Sequence, residues 1–210
     1  MEMKRRRVVF RGLALLLLAG TGMAAHAQSP SLSPVPVIAS SSMLPTYVKG
    51  QAVTLRLSSM LPVGLRRGDV VIYVTERQLR VHRVIGLPGE VVAYADADGQ
   101  WRIDGKIIPR ESTGSLTVDG IRYGLYTEWL DGRPHRVIED SRYHMLAALG
   151  PQMPLMQLPG ACQLDEGSFR CKLPSGYVFV IGDNRQNSTY GLVAITQILA
   201  TADEPLSPRH

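Results

Sequence analysis

The sequence predicts an all-β protein of mostly antiparallel sheets, with minor helix and an N-terminal apolar helix. Short runs of alternating or β-branched residues recur along the chain. Four Asp-Gly pairs punctuate them, at Asp98-Gly99, Asp104-Gly105, Asp119-Gly120 and Asp131-Gly132, the signature of tight hairpins. Beyond the N-terminal segment no apolar period of 3.6 persists for more than two or three turns.

Taken in order, residues 1–27 are a targeting segment. Lys4, Arg5, Arg6, Arg7 and Arg11 precede an apolar run from Gly12 to Ala25, and Ala25-His26-Ala27 closes it with an A-x-A pattern. The run of 14 residues suits a leader cut before Gln28 better than a span of about 20 residues. Counted from Val8, with Arg11 snorkelling, an 18-residue retained anchor is served as well. In both cases the basic flank stays in the cytoplasm and the rest of the chain lies outside. Residues 28–37 form an extended, loose Ser/Pro tether.

Residues 38–210 form the β-rich domain. Strands are expected at Val53–Leu57, Asp69–Thr75, Leu79–Ile85, Glu90–Tyr94, Trp101–Asp104, Ile121–Trp129, Pro134–Ile138 and Tyr177–Ile181. Arg142 to Gly160 has no clean period and reads as a mobile surface loop, and Leu192 to Ala200 as a final strand or short helix.

With 210 residues and 45% hydrophobic content, the chain can bury one real core. The net charge is +5, but most of that excess sits in the leader and the remaining cations are scattered among acids, so no nucleic-acid partner is expected. Cys162 and Cys171, with eight residues between them in an exported chain, read as a disulfide closing a small loop. No further ligands lie near them, so neither a metal site nor a cofactor is expected.

Three segments carry candidate chemistry. Ser42 lies in Ser40-Ser41-Ser42-Met43-Leu44-Pro45, where Pro45 fixes the backbone near an exposed hydroxyl; a serine-rich linker is the bland alternative. His82 lies in an alternating strand ending at Gly86, Pro88 and Gly89, and His135 repeats the same His-Arg-Val-Ile letters. Asp183 follows the strand Tyr177–Ile181, where it either caps the Gly-Asp-Asn turn or orients a histidine through its N–H.

Together these segments resemble the type I signal peptidase family of serine proteases. SSSMLPTY (Ser40 to Tyr47) is similar to its nucleophile box, RRGDVVIYV (Arg66 to Val74) to its next strand, VHRVIGLPGE (Val81 to Glu90) to its base box and GDNRQNS (Gly182 to Ser188) to its last box. Residues 95–175 resemble the family's variable β-insertion only loosely. The resemblance implies Ser42 as nucleophile, Ser40 and the Ser42 N–H as oxyanion donors, and Met43 and Pro45 as shapers of the site. It also implies His82 as general base, with Asp183 and Ser188 as polar groups near that base, and leaves His135 as a strand residue of the insertion.

Two departures stand out. Most bacterial members carry lysine where this chain has His82, whereas the endoplasmic reticulum and archaeal branch uses histidine. Chemistry tolerates the exchange, since a lysine needs its pKa lowered by roughly 3 units and an ordinary histidine needs little tuning. On that basis activity is expected to fall below a pH of about 6.5. After Ser188 the chain runs through Thr189-Tyr190-Gly191 straight to Leu192, shorter than in bacterial members.

The implied function is removal of signal peptides from exported preproteins at the outer face of the cytoplasmic membrane, by a monomer that meets lipid through its N-terminal segment if that is retained. A dedicated conjugation- or pilus-type maturation peptidase and a catalytically inactive, exported peptide-binding β-domain are the alternatives.

Overall fold

A computed structural model describes residues 34–35, 38–57, 64–75, 78–140, 142 and 160–203. The leader, most of the tether and nearly all of the expected loop 142–160 lie outside them. The regular elements of the described residues are all β-strands, apart from one 3-10 turn at Ile195–Gln197.

The central sheet has seven strands. They are β1 (Pro34–Val35), β2 (Val53–Leu57), β3 (Val70–Thr75), β4 (Gln78–Gly86), β13 (Tyr177–Ile181), β14 (Tyr190–Ala194) and β15 (Ile198–Ala202). Their spatial order is β1-β2-β15-β3-β4-β13-β14, each pair antiparallel. A five-stranded sheet joins β5 (Val91–Ala95), β6 (Gln100–Ile103), β7 (Lys106–Ile107), β11 (Cys162–Asp165) and β12 (Ser168–Lys172), and a three-stranded sheet joins β8 (Arg110–Val118), β9 (Ile121–Leu130) and β10 (Arg133–Glu139).

Local chemistry explains the hairpins. Asp104-Gly105, Asp119-Gly120 and Asp131-Gly132 all have positive φ at both residues, which a two-residue hairpin needs if its twist is to match that of its strands. Asp98-Gly99 is different: only Gly99 has positive φ, its N–H donates to the Ala95 carbonyl, and the Asp98 carboxylate accepts the Gln100 N–H. Cys162 and Cys171 face each other across β11 and β12 and are joined by a disulfide, as expected.

Three segments depart from the sequence reading. The tether is held at Pro34–Val35, which pairs with Val53–Thr54. Arg110–Val118 is a strand with mostly exposed residues, so it carries no period of two that a sequence could reveal. Leu192 to Ala200 resolves into the end of β14, the 3-10 turn and the start of β15.

Alternation in β3 and β4 sorts side chains to two faces. Val71, Tyr73 and Val84 pack with Val178, Val180, Val193 and Ile198. Val70 and Ile72, with the half-buried Val81, pack on the other face against Ile38, Met43, Tyr47 and Val53. A third cluster stacks Trp101, Phe169, Phe179 and Tyr190 between the central and five-stranded sheets.

Gly86 lies where these layers meet: a Cβ there would stand 2.4 Å from Val92 Cγ2 and 3.1 Å from Leu173 Cδ2 and Phe179 Cβ. Gly86→Ala is therefore expected to destabilise the protein by about 1–3 kcal/mol through overpacking. A lowered denaturant midpoint with an unchanged slope would show it.

Candidate active site

The segment carrying Ser42 is a coil of turns, with the Leu44 N–H donating to the Ser41 carbonyl and the Tyr47 N–H to the Met43 carbonyl. Met43 and Tyr47 are buried and anchor it, the Tyr47 hydroxyl donating to the Asp203 carbonyl at 2.7 Å. The Leu44-Pro45 peptide is cis. Ser42 is left half-buried, its Oγ 3.0 Å from Ser40 Oγ.

The turn after β13 fastens this coil. The Asn184 N–H donates to the Ser42 carbonyl at 3.0 Å, Asn184 Nδ2 to the Ser41 carbonyl at 3.2 Å, and Asn187 Nδ2 to Ser41 Oγ at 2.6 Å. Gly182 is required by proximity, since a Cβ on it would stand 2.3 Å from both the Ser42 carbonyl oxygen and Ser188 Oγ. Ser188 accepts the Gly182 N–H and donates to the Thr189 carbonyl, each at 2.8 Å.

Beneath that turn lies a buried ion pair. Arg83 donates through Nε and Nη2 to the two Asp183 carboxylate oxygens at 2.8 and 2.7 Å, and through Nη1 to the Gly68 carbonyl. Thr46 Oγ1 donates to Asp183 Oδ2, tying the Ser42 coil to the same carboxylate. Burial alone would raise the Asp183 carboxyl, but the charge and hydrogen bonds of Arg83, with Thr46, outweigh it and hold the group below the ordinary carboxylate value.

His82 departs from expectation in two respects. Its Nδ1 is 2.7 Å from the Tyr73 hydroxyl, so the orienting bond that Asp183 was expected to make goes to a tyrosine, while both Asp183 oxygens go to Arg83 and Thr46. Ser42 Oγ pairs with Ser40, not with His82, in this conformation. Burial first, then the charge of Arg80, lowers the imidazole to a pKa of about 3 against the weaker pull of Asp183. The expected loss of activity below pH 6.5 assumed a solvated histidine, and desolvation moves that limb down.

Ser40, Ser42, His82 and Ser188 all line one cleft of about 570 Å³. Ile38, Val53, Ile72, Leu79 and Val81 supply an apolar floor that sequence reasoning did not single out; Ile72 and Val81 are placed there by facing each other across β3 and β4. Arg80 braces the rim, reaching Thr75 Oγ1 at 3.1 Å and Thr189 Oγ1 at 3.4 Å, so the segment after Ser188 meets the strand that carries His82. Among the described residues no cluster of three or more His, Cys, Asp or Glu is placed to hold a metal.

His135 sits apart from this cleft. It is buried on β10 directly opposite Glu128, its Nε2 3.1 Å from Glu128 Oε1, which also accepts Arg185 Nη2 at 2.5 Å. Burial would raise the Glu128 carboxyl, but Arg185 and His135 bring it below its ordinary value. The Ile138 N–H donates to the Asp183 carbonyl and the Arg185 N–H to the Ile138 carbonyl, so β10 docks on the turn that holds Ser42.

A family model described as "Signal peptidase, peptidase S26" matches residues 10–206. A signal peptidase I of Bacillus caldolyticus is 28% identical over 173 residues, which are 80% of this chain and 75% of that protein. A signal peptidase I of Pseudomonas aeruginosa is 28% identical over 72% of this chain and 51% of its own length, and one of Pseudomonas fluorescens 30% over 59% and 37%. Among solved structures, a signal peptidase I from Enterococcus faecalis V583 is similar at 21% identity and a TM-score of 0.33, covering 65% of this chain and 95% of that one.

Asp183→Asn leaves the Arg83 charge buried without its counter-ion. It is expected to cost about 3–5 kcal/mol, measured by equilibrium denaturation at pH 7.

Proposed function

The chain belongs to the signal peptidase, peptidase S26, family, and from that premise we propose that it is a serine endopeptidase that removes signal peptides from exported preproteins outside the cytoplasmic membrane. One observation carries the reading. The turn Gly182–Asn184 is bonded to the Ser42 backbone itself, beside an apolar-floored cleft that Ser40, Ser42, His82 and Ser188 share.

In this reading the substrate enters as an extended strand. Residues 78–82 of β4 pair with β3 on one side, while pairing with β13 begins only at Arg83 and Ile181, so the other edge at 78–82 pairs with no strand among the described residues. A peptide added there would place alternate small side chains over Ile72 and Val81, which suits an A-x-A sequence. Ser42 Oγ turns from Ser40 toward His82, gives its proton to the imidazole and attacks the scissile carbonyl. The oxyanion is met by Ser40 Oγ and by the Ser42 N–H, which gives up the 3.4 Å hydrogen bond it donates to Ser40 Oγ. The imidazolium returns the proton to the leaving amine, and water resolves the ester by the same base. Asp183 favours the imidazolium through its field and not through a hydrogen bond.

Cleavage of a preprotein with an A-x-A site, by the protein in detergent, tests the reading. Ser42→Ala and His82→Ala are expected to lose on the order of 10³-fold or more in kcat/KM, and His135→Ala to keep cutting while folded. Wild type that binds such a peptide without cutting it would instead favour the inactive binding domain, and cutting confined to one exported protein the dedicated maturation peptidase.

The pH profile follows from burial. With its pKa near 3, His82 stays neutral, so kcat/KM is expected to be flat from pH 7 to 5. Stability behaves differently. The unfolded histidine, near 6.5, takes up a proton that the folded one refuses, so stability is full above pH 6.5 and is lost as pH falls toward 3, by about 2 kcal/mol at pH 5. A denaturation series from pH 7.5 to 5 should show that slope, and His82→Ala should remove it.

A further inference from the structure

We propose that Tyr73 is the positioning residue of the base. Its hydroxyl, hydrogen-bonded to His82 Nδ1, holds the imidazole in the orientation that leaves Nε2 open to Ser42. This rests on the reading of His82 as general base.

The geometry originates in the strand register. Val71 faces His82 and Tyr73 faces Arg80 across β3 and β4, so Tyr73 and His82 are diagonal neighbours on one face of the sheet, within reach of an aromatic side chain. Their rings lie 5.8 Å apart and are tilted by 46°. Tyr73 has no exposed surface and sits among Val71, Val84, Val180 and Ile198, so its hydroxyl cannot reach water and takes Nδ1 at 2.7 Å as its partner. The Asp183 carboxylate, the expected partner of Nδ1, is bound to Arg83 and Thr46.

The proton inventory then constrains the chemistry. If the phenol donates to Nδ1, the ring proton sits on Nε2 and the imidazole cannot accept from Ser42. If Nδ1–H donates to the phenol oxygen, the Nε2 lone pair is free. The base-competent state is the second. In the reaction the Ser42 proton moves to Nε2, Nδ1 keeps its own, and Tyr73 remains a neutral phenol, as its burial demands. Besides Tyr73 on β3, the charged groups acting on the imidazole are Arg80 on its own strand and Asp183 after β13.

Tyr73→Phe keeps the ring in its core and removes only the oxygen. Two readouts taken together test the role: kcat and KM for preprotein cleavage, and ¹⁵N chemical shifts of the His82 ring in protein with labelled histidine. The expected result is a 10- to 100-fold loss in kcat, KM within about 2-fold, and His82 nitrogen shifts that move away from the Nδ1–H form that the proposal requires of the wild type. KM is spared because Tyr73 is not among the residues that line the cleft. An unchanged kcat, or a lost kcat with unchanged ring shifts, would overturn the proposal. His82→Ala separates the two levels: if it still cuts, the reading of the base has failed, whereas an inactive His82→Ala beside a fully active Tyr73→Phe removes only the role of Tyr73.

Discussion

The buried ion pair of Arg83 with Asp183 is the constraint on which the rest of the site depends. Two charges with almost no exposed surface are costly to desolvate, and such pairs contribute little net stability against a well-packed apolar alternative. Their effect is on geometry. A guanidinium that donates to both carboxylate oxygens has one planar arrangement, so the turn after β13 is held against β4 at a set height and angle. The Thr46 hydroxyl on the same carboxylate brings in the coil that carries Ser42. Strand, turn and coil thus meet at one anion.

From that junction the remaining contacts follow by proximity. Asn184, next to Asp183, comes within reach of the Ser41 and Ser42 carbonyls, and Gly182 on the other side is pressed so close to the Ser42 carbonyl that no side chain fits. On the outer flank Arg185 and Ile138 bond the turn to β10, whose His135 closes a second buried charge cluster with Glu128 of β9. The three-stranded sheet therefore buttresses the turn that positions the serine, even though it contributes no residue to the cleft lining.

Much of this was legible in the chain. The strands with clean alternation, the hairpins at Asp104, Asp119 and Asp131 and the disulfide lie where local chemistry placed them, and Ser40, Ser42, His82 and Ser188 share one cleft. What failed was information that only register and burial supply. Asp183, after the strand Tyr177–Ile181, was open to two readings, a cap of its own turn or a partner for histidine, yet the arginine beside that histidine holds it, since adjacent residues on a strand point to opposite faces. Tyr73 was one letter of a β-branched run until the pairing of Val71 with His82 set it diagonal to the imidazole. The two His-Arg-Val-Ile repeats differ in what each histidine faces, Tyr73 in one case and Glu128 in the other. The acid limb expected from an ordinary histidine shifts down because a pKa depends on desolvation, which a linear sequence does not display.

The central claim is that Ser42, held by the turn at Gly182–Asn184, is the atom that attacks. Acid quenching of the enzyme during turnover of a preprotein, followed by proteolysis and mass spectrometry of the covalent adduct, tests it most directly. The account predicts a signal-peptide fragment in ester linkage to Ser42. An ester on Ser40 or Ser188, or cleavage that persists in Ser42→Ala, would contradict it.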